Sequence, residues 1–282
     1  MDPMKDKICI VTGANSGIGR ETALALAKKG AHIVMVCRNQ KRGEEAKKEI
    51  ITISGNDSVE LMLCDLASQK SIRKFAKAFL EKHDRLDVLV NNAGVMMWER
   101  TLTTDGIETT FAVNHLGSFL LTNLLLEMLK KSAPSRIVNV ASKAQKEIDF
   151  EDLQNERGYS MRTAYGRSKL ANILFTYELA RRLEGTSVTA NCLHPGVVNT
   201  NLFKHAIPYP LSYGLKVVEH FFKKPKDGAK TSIYLASSKY VECISGKYFI
   251  GTAPAKSHRQ SYDIEACKRL WNESERLTGI KP

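Results

Sequence analysis

Six apolar, β-branched runs, "KICIVT", "HIVMV", "VELMLC", "LDVLV", "RIVNVA" and "SVTANCL", recur along the chain, each followed by a longer segment with helical spacing of apolar residues. Strands apolar at nearly every position must be covered on both faces, which antiparallel sheets with one wet face do not provide. The β-α-β-α order therefore predicts an α/β chain with a doubly wound parallel sheet of about seven strands, flanked by helices and joined by right-handed crossovers. The first helix carries Ala23, Leu24, Leu26 and Ala27 and stops at Gly30. A later one, "YGRSKLANILFTYELARRLEG", carries Leu170, Ile173, Leu174, Tyr177 and Leu179 and ends at Gly185.

"VTGANSGIG", at 11–19, follows the first apolar run and places Gly13, Gly17 and Gly19 between a strand and a helix. Such a turn lets backbone N–H groups at a helix N-terminus face a pyrophosphate without an obstructing Cβ. A tight β-α turn alone would also use glycines, so the next strand is needed to identify the ligand. That strand ends "CRNQKR", with no acid for a ribose hydroxyl but with Arg38, supported by Lys41 or Arg42, able to clamp a 2′-phosphate. NADP(H) is therefore expected in preference to NAD(H).

Tyr165 and Lys169 lie four apart on a predicted helix, so both project from one face. A phenol beside an ammonium is a candidate proton donor, because a nearby cation favours the phenolate and lowers the tyrosine pKa. Taken alone, the pair is an ordinary amphipathic face.

Seven pieces in order give these fragments a context: "TGANSGIG" at 12–19, "DL" at Asp65 and Leu66, "NNAG" at 91–94, Asn114 in "AVNHLGSF", Ser142 in "VNVAS", "YGRSK" at 165–169 and "HPGVVNT" at 194–200. With them the chain resembles the short-chain dehydrogenase/reductase family along nearly its whole length, and its retinol-dehydrogenase-like subgroup in particular. The resemblance implies a single-domain Rossmann fold, with a dinucleotide-binding half at about 1–140 and a catalytic and substrate-binding half at about 141–282. It further implies that Tyr165 protonates a carbonyl oxygen, Ser142 donates a hydrogen bond to that oxygen, Lys169 lowers the Tyr165 pKa and holds the nicotinamide ribose, and Asn114 positions Lys169 through a water. Asp65 would meet the adenine, Asn91 would line the cofactor site and Thr200 would meet the carboxamide. Asn15, Ser16 and Ile18 join the three glycines of the turn as cofactor contacts, as do Leu66, Ala93, Gly94, Pro195, Gly196 and Val198. The reaction implied is hydride transfer between NADP(H) and an apolar aldehyde or ketone, or the corresponding alcohol.

Composition narrows the remaining classes. With 43% hydrophobic and 26% charged residues, the chain reads as a globular protein, and no uninterrupted apolar run predicts a transmembrane span. The N-terminal "MDPMKDKICIV" has no long apolar core or cleavage site, so no secretory signal is expected. Six scattered cysteines without C-x-x-C spacing argue against structural zinc and disulfides, and fit a cytoplasmic or cytosol-facing location. His115 and His194 read as packing or hydrogen-bonded residues, and no metal site is expected. The net charge of +12 is read as a solvated basic surface. No aromatic-basic interleaving or groove-reading motif suggests nucleic acid. A non-catalytic cofactor-binding regulator would have no need of Ser142, Tyr165 and Lys169 together. Residues 203–225 suit a lid over a pocket. Met96, Met97, Trp98, Phe203, Tyr209, Phe221 and Phe222 suggest an apolar substrate, and the last two, beside Lys223 and Lys224, suit peripheral membrane contact. A homo-oligomer remains open.

Overall fold

Alternation of element types carries directly into the structure. Along the chain run β1 (Ile8–Thr12), α1 (Gly17–Ala27), β2 (His32–Cys37), α2 (Gln40–Ser54), β3 (Val59–Leu63), α3 (Gln69–Lys82) and β4 (Val88–Asn91). A short α4 (Thr109–Phe111) and a π-helical turn (Ala112–Leu116) then lead into α5 (Gly117–Lys131), β5 (Ser135–Val140), α6 (Met161–Arg182) and β6 (Val188–His194). The last elements are α7 (Pro225–Ser237), β7 (Tyr248–Ile250), β8 (Ala253–Pro254) and α8 (Ile264–Thr278). This computed structural model describes residues 4–196, 198 and 224–280. Thr200 and nearly all of the 203–225 segment, with Phe203, Tyr209, Phe221 and Phe222, lie outside the described residues.

Among the described residues, one sheet holds eight strands in the order β3-β2-β1-β4-β5-β6-β7-β8. Strands β1 to β7 pair in parallel, matching the expected number. The eighth is a two-residue antiparallel return past Gly251, whose φ of +67° suits a residue without Cβ. Ala253 and Pro254 are both exposed, and proline is tolerated only at such an edge, so this strand has no hydrophobic signature in the sequence.

Burial of both faces is clearest in β1. Cys9, Ile10 and Val11 are all 0% exposed, with Ile10 in one core and Cys9 and Val11 in the other. Helices α1, α2 and α7 cover the second of these faces, over Leu26, Ile33, Met35 and Ile50. On the first, α3, α5 and α6 pack Phe79, Phe119, Leu125 and Phe175 against Leu89 and Ile137. The run Thr109–Lys131 is long and apolar enough to cross a membrane, yet 72% of its most apolar window is buried inside the protein. It is a core helix whose apolar residues meet the sheet and its neighbours. The sheet order reverses direction between β1 and β4, which opens a crevice at their C-terminal ends.

Candidate active site

At that crevice the loops after β1 and β4 are locked together. Thr12 Oγ1 accepts from the Asn92 and Ala93 amides at 2.9 and 3.0 Å and donates to the Val90 carbonyl at 3.3 Å. Asn92 Nδ2 donates to the Thr12 carbonyl at 2.7 Å. A Cβ on Gly13, where φ is +67°, would lie 3.1 Å from both Ala93 Cα and Asn92 Nδ2. One on Gly19 would run into Gly13 O and Asn92 Nδ2. Two of the three glycines thus answer to the protein's own packing as well as to any ligand. Gly17, with φ +56°, opens α1. Ser16 makes no side-chain cap there and no acid stands in the first turn, so the positive end of the helix, flanked by Asn15 and Ile18, is open to an anion.

The flanking predicted contacts fall into four groups, at the ends of β2, β3, β4 and β6. Arg38 is exposed just beyond β2 and has no hydrogen bond or ion pair among the described residues, while neighbouring Asn39 caps α2 by accepting from the Arg42 amide at 2.9 Å. Asp65 is half-buried after β3; its Oδ1 accepts from the Ala67 amide at 3.0 Å, and its own amide donates to Ser71 Oγ at 2.9 Å. Leu66 is buried against Gly117, where a Cβ would come 2.9 Å from the Leu66 carbonyl. Asn91 does not present its side chain to the crevice. Its Nδ2 donates to Thr122 Oγ1 at 3.0 Å and to Asn139 Oδ1 at 2.8 Å inside the protein, which leaves only backbone to face a ligand. Gly196, at φ +92°, turns the chain after Pro195, and Val198 packs near Ile18 beneath α7: a Cβ on Gly228 would sit 2.5 Å from Val198 Cγ2 and 3.2 Å from Ile18 Cγ1.

Lys169, Asn114 and Gly94 form the floor. Lys169 is 4% exposed and donates from Nζ to the Val140 carbonyl at 2.9 Å. Asn114 sits on the π-helical turn, where Oδ1 accepts from the Val95 amide at 2.7 Å and Nδ2 donates to the Val95 carbonyl and Ser168 Oγ, each at 2.9 Å. A Cβ on Gly94 would lie 3.3 Å from Asn114 Oδ1 and 3.5 Å from Lys169 Nζ, so glycine permits the approach of all three. Lys169 Nζ is 5.6 Å from the centre of the Tyr165 ring. Burial pushes the Tyr165 phenol up to about 12 against the pull of the Ser142 hydroxyl. Burial also brings Lys169 down to about 8. The lowering of the tyrosine expected from a nearby cation is opposed here by desolvation, the largest influence on the phenol.

Ser142 stands just beyond β5 and is held by residues that the sequence did not single out. Its carbonyl accepts from Gln145 Nε2 at 2.9 Å and from the Tyr248 hydroxyl at 3.1 Å. Its Oγ accepts from the Ala144 amide at 3.1 Å. His194 Nδ1 accepts from the Lys143 amide at 3.1 Å, and His115 Nε2 is 2.9 Å from Ser274 Oγ, so both histidines are hydrogen-bonded as expected. Tyr248, in "SGKYF", lies 106 positions from Ser142, and no local periodicity could have connected them. His194→Ala should leave cofactor affinity unchanged in a fluorescence titration, because the ring braces the Ser142 loop rather than the phosphate turn. A large loss of that affinity would contradict this placement.

Residues 7–208 match the short chain dehydrogenase family, and the chain belongs to it. Within that family it falls in the retinol-dehydrogenase-like subgroup and is an oxidoreductase acting on CH–OH donors. Retinol dehydrogenase 14 of Mus musculus is 50% identical over 291 residues, covering 98% of this chain and 87% of the relative. Retinol dehydrogenase 13 of Homo sapiens is 46% identical over 282 residues, covering 98% and 85%. A crystal structure from Mycobacterium paratuberculosis superposes with a TM-score of 0.78 at 35% identity, over 98% of this chain and 94% of that one. A short chain dehydrogenase from Escherichia coli, solved with NADPH, shares the fold at a TM-score of 0.72 and 24% identity, over 89% and 99%.

Proposed function

We propose that the chain is an NADP(H)-dependent oxidoreductase that interconverts an apolar aldehyde or ketone, of retinal, medium-chain or steroid type, and its alcohol. The observation that carries this reading is the convergence of Ser142, Tyr165 and Lys169 beside a glycine turn with an open helix N-terminus, at the point where the sheet order reverses. These residues fit a dinucleotide: the α1 N-terminus and Gly17 suit a pyrophosphate, Gly94 lets the backbone come close to Lys169 without a side chain, and Arg38, unpaired among the described residues, suits a 2′-phosphate. When bound, the nicotinamide supplies or accepts the hydride.

The chain's own residues handle the proton and the orientation. Because burial keeps Tyr165 protonated at neutral pH, its phenol is a donor ready for a carbonyl oxygen that gains negative charge during reduction. Ser142 accepts from Ala144, which leaves its hydroxyl proton for the same oxygen. Lys169, fixed on the Val140 carbonyl, holds a ribose hydroxyl with its remaining protons and stabilises the phenolate left behind. Asn114 spends its amide on Val95 and Ser168, so it fixes the backbone beside Lys169 by shaping the π-helical turn. Arg38→Asp should shift preference from NADPH toward NADH, with loss of about 1.5–3 kcal/mol of NADPH affinity for a charged hydrogen bond. Unchanged NADPH affinity would show that Lys41 or Arg42 holds the phosphate instead. We place the protein on the cytosolic side, with an apolar substrate reached directly or from a membrane surface.

A further inference from the structure

At the β3 edge of the sheet, away from the crevice, three side chains of types that can ligate a metal meet. His32 begins β2, Glu60 lies on the outermost strand β3, and His83 ends α3. They are 28 and 23 positions apart, with no ligand spacing legible in the sequence. Their donor atoms all lie within 4.8 Å of one another. Glu60 Oε1 is 3.2 Å from His32 Nε2 and 2.6 Å from His83 Nε2.

We propose that His32, Glu60 and His83 form a zinc site that ties the outer strand β3 to β2 and to the end of α3. In a tetrahedral zinc centre with ligands at about 2.0–2.2 Å, neighbouring donor atoms stand about 3.3 Å apart. The His32–Glu60 separation already has that value to within 0.1 Å or so, and the His83 pair opens by roughly 0.7 Å to admit the ion. Two imidazole nitrogens with one carboxylate oxygen favour zinc over magnesium or calcium, which prefer oxygen cages, and water takes the fourth position.

A second observation points to the same ligand. The His83 side chain is only 7% exposed, and its Nε2, aimed at Glu60, makes no aligned hydrogen bond. The ring is held in place by Phe79, at 4.6 Å between centroids, and meets His32 edge-on at 5.4 Å. Lys82 binds the other carboxylate oxygen, Oε2, and leaves Oε1 to the imidazoles. Burial lowers the His83 pKa against the pull of Glu60, which favours the neutral ring that a metal requires. The Glu60 carboxyl, raised by burial but pulled down harder by His32 and Lys82, falls to about 2 and stays ionised.

The test is zinc titration by calorimetry on the full chain stripped with chelator, with thermal unfolding in parallel and cobalt as a spectroscopic substitute. The wild type should take up one zinc saturably, gain thermal stability with it, and show the visible absorption of four-coordinate cobalt. His83→Ala should lose affinity by on the order of 100-fold or more, since removing a ligand costs at least as much as removing an outer-shell partner. His32→Ala, at the more exposed ring, should do the same and serves as the second probe if the His83 variant fails to fold. Absence of saturable uptake would overturn the site. So would equal zinc affinity in wild type and a folded histidine variant, which would assign the uptake to other surface groups such as exposed Cys243.

Discussion

Tyr165→Phe is expected to lower turnover by about 10² to 10⁴ while leaving NADPH binding nearly intact, because it removes one oxygen and the proton it donates. The ring itself stays, so packing around α6 is preserved. Burial already holds the phenol up to about 12 in the ligand-free protein, which makes it a proton reservoir at neutral pH. In the oxidative direction the same group must give up its proton first, and there Lys169 would stabilise the phenolate. Steady-state rates in both directions, together with a binding titration, check this. A variant that retained wild-type turnover would remove Tyr165 from the chemistry.

Lys169→Met should move activity and stability in opposite directions. Turnover should fall by at least about 10², since on the reading proposed above the ammonium would both orient the ribose and support the phenolate. Thermal and denaturant stability should rise. Lys169 is almost fully buried, and its pKa falls from 10.5 to about 8 on folding. That difference, which already includes its hydrogen bond to Val140, corresponds to about 3 kcal/mol against folding when both states are protonated. A gain of up to about 3 kcal/mol is expected for the variant at pH 7. Between pH 8 and 10.5 the folded protein sheds the proton while the unfolded chain keeps it, so the wild type recovers stability and the gap should narrow. Over the same range the wild-type kcat/KM for reduction should decline as pH rises past about 8. Urea unfolding at pH 7 and pH 10 measures the first effect. A variant less stable than wild type at pH 7 would show that the ammonium is already fully compensated.

Much of the fold was legible because strands buried on both faces have few ways to be written. Cys9, Ile10 and Val11 must all be apolar, and the alternation with helices then sets a parallel sheet. The eighth strand was not legible, because Ala253 and Pro254 pair at an exposed edge without any apolar pattern. At the candidate site, the glycine turn and the Tyr165–Lys169 spacing are local and could be read from the chain. Asn91 shows the limit of such reading: it ends β4 beside the crevice, but its side chain turns inward to Thr122 and Asn139. The π-helical turn around Asn114 depends on the Val95 backbone and Ser168, which lie on other segments. The same holds for Tyr248 on the Ser142 carbonyl and for Gly94 against Lys169, contacts made only by tertiary closure.

The most direct measurement of the central claim is NADPH oxidation, followed at its absorbance band, against a panel from small aldehydes through medium-chain aldehydes and steroid ketones to retinal, with NADH run beside it. The account predicts saturable reduction of the larger apolar carbonyls, faster with NADPH than with NADH. Tight NADPH binding with no reduction of any member of the panel would contradict it, and would point instead to a cofactor-binding regulator built on the same fold.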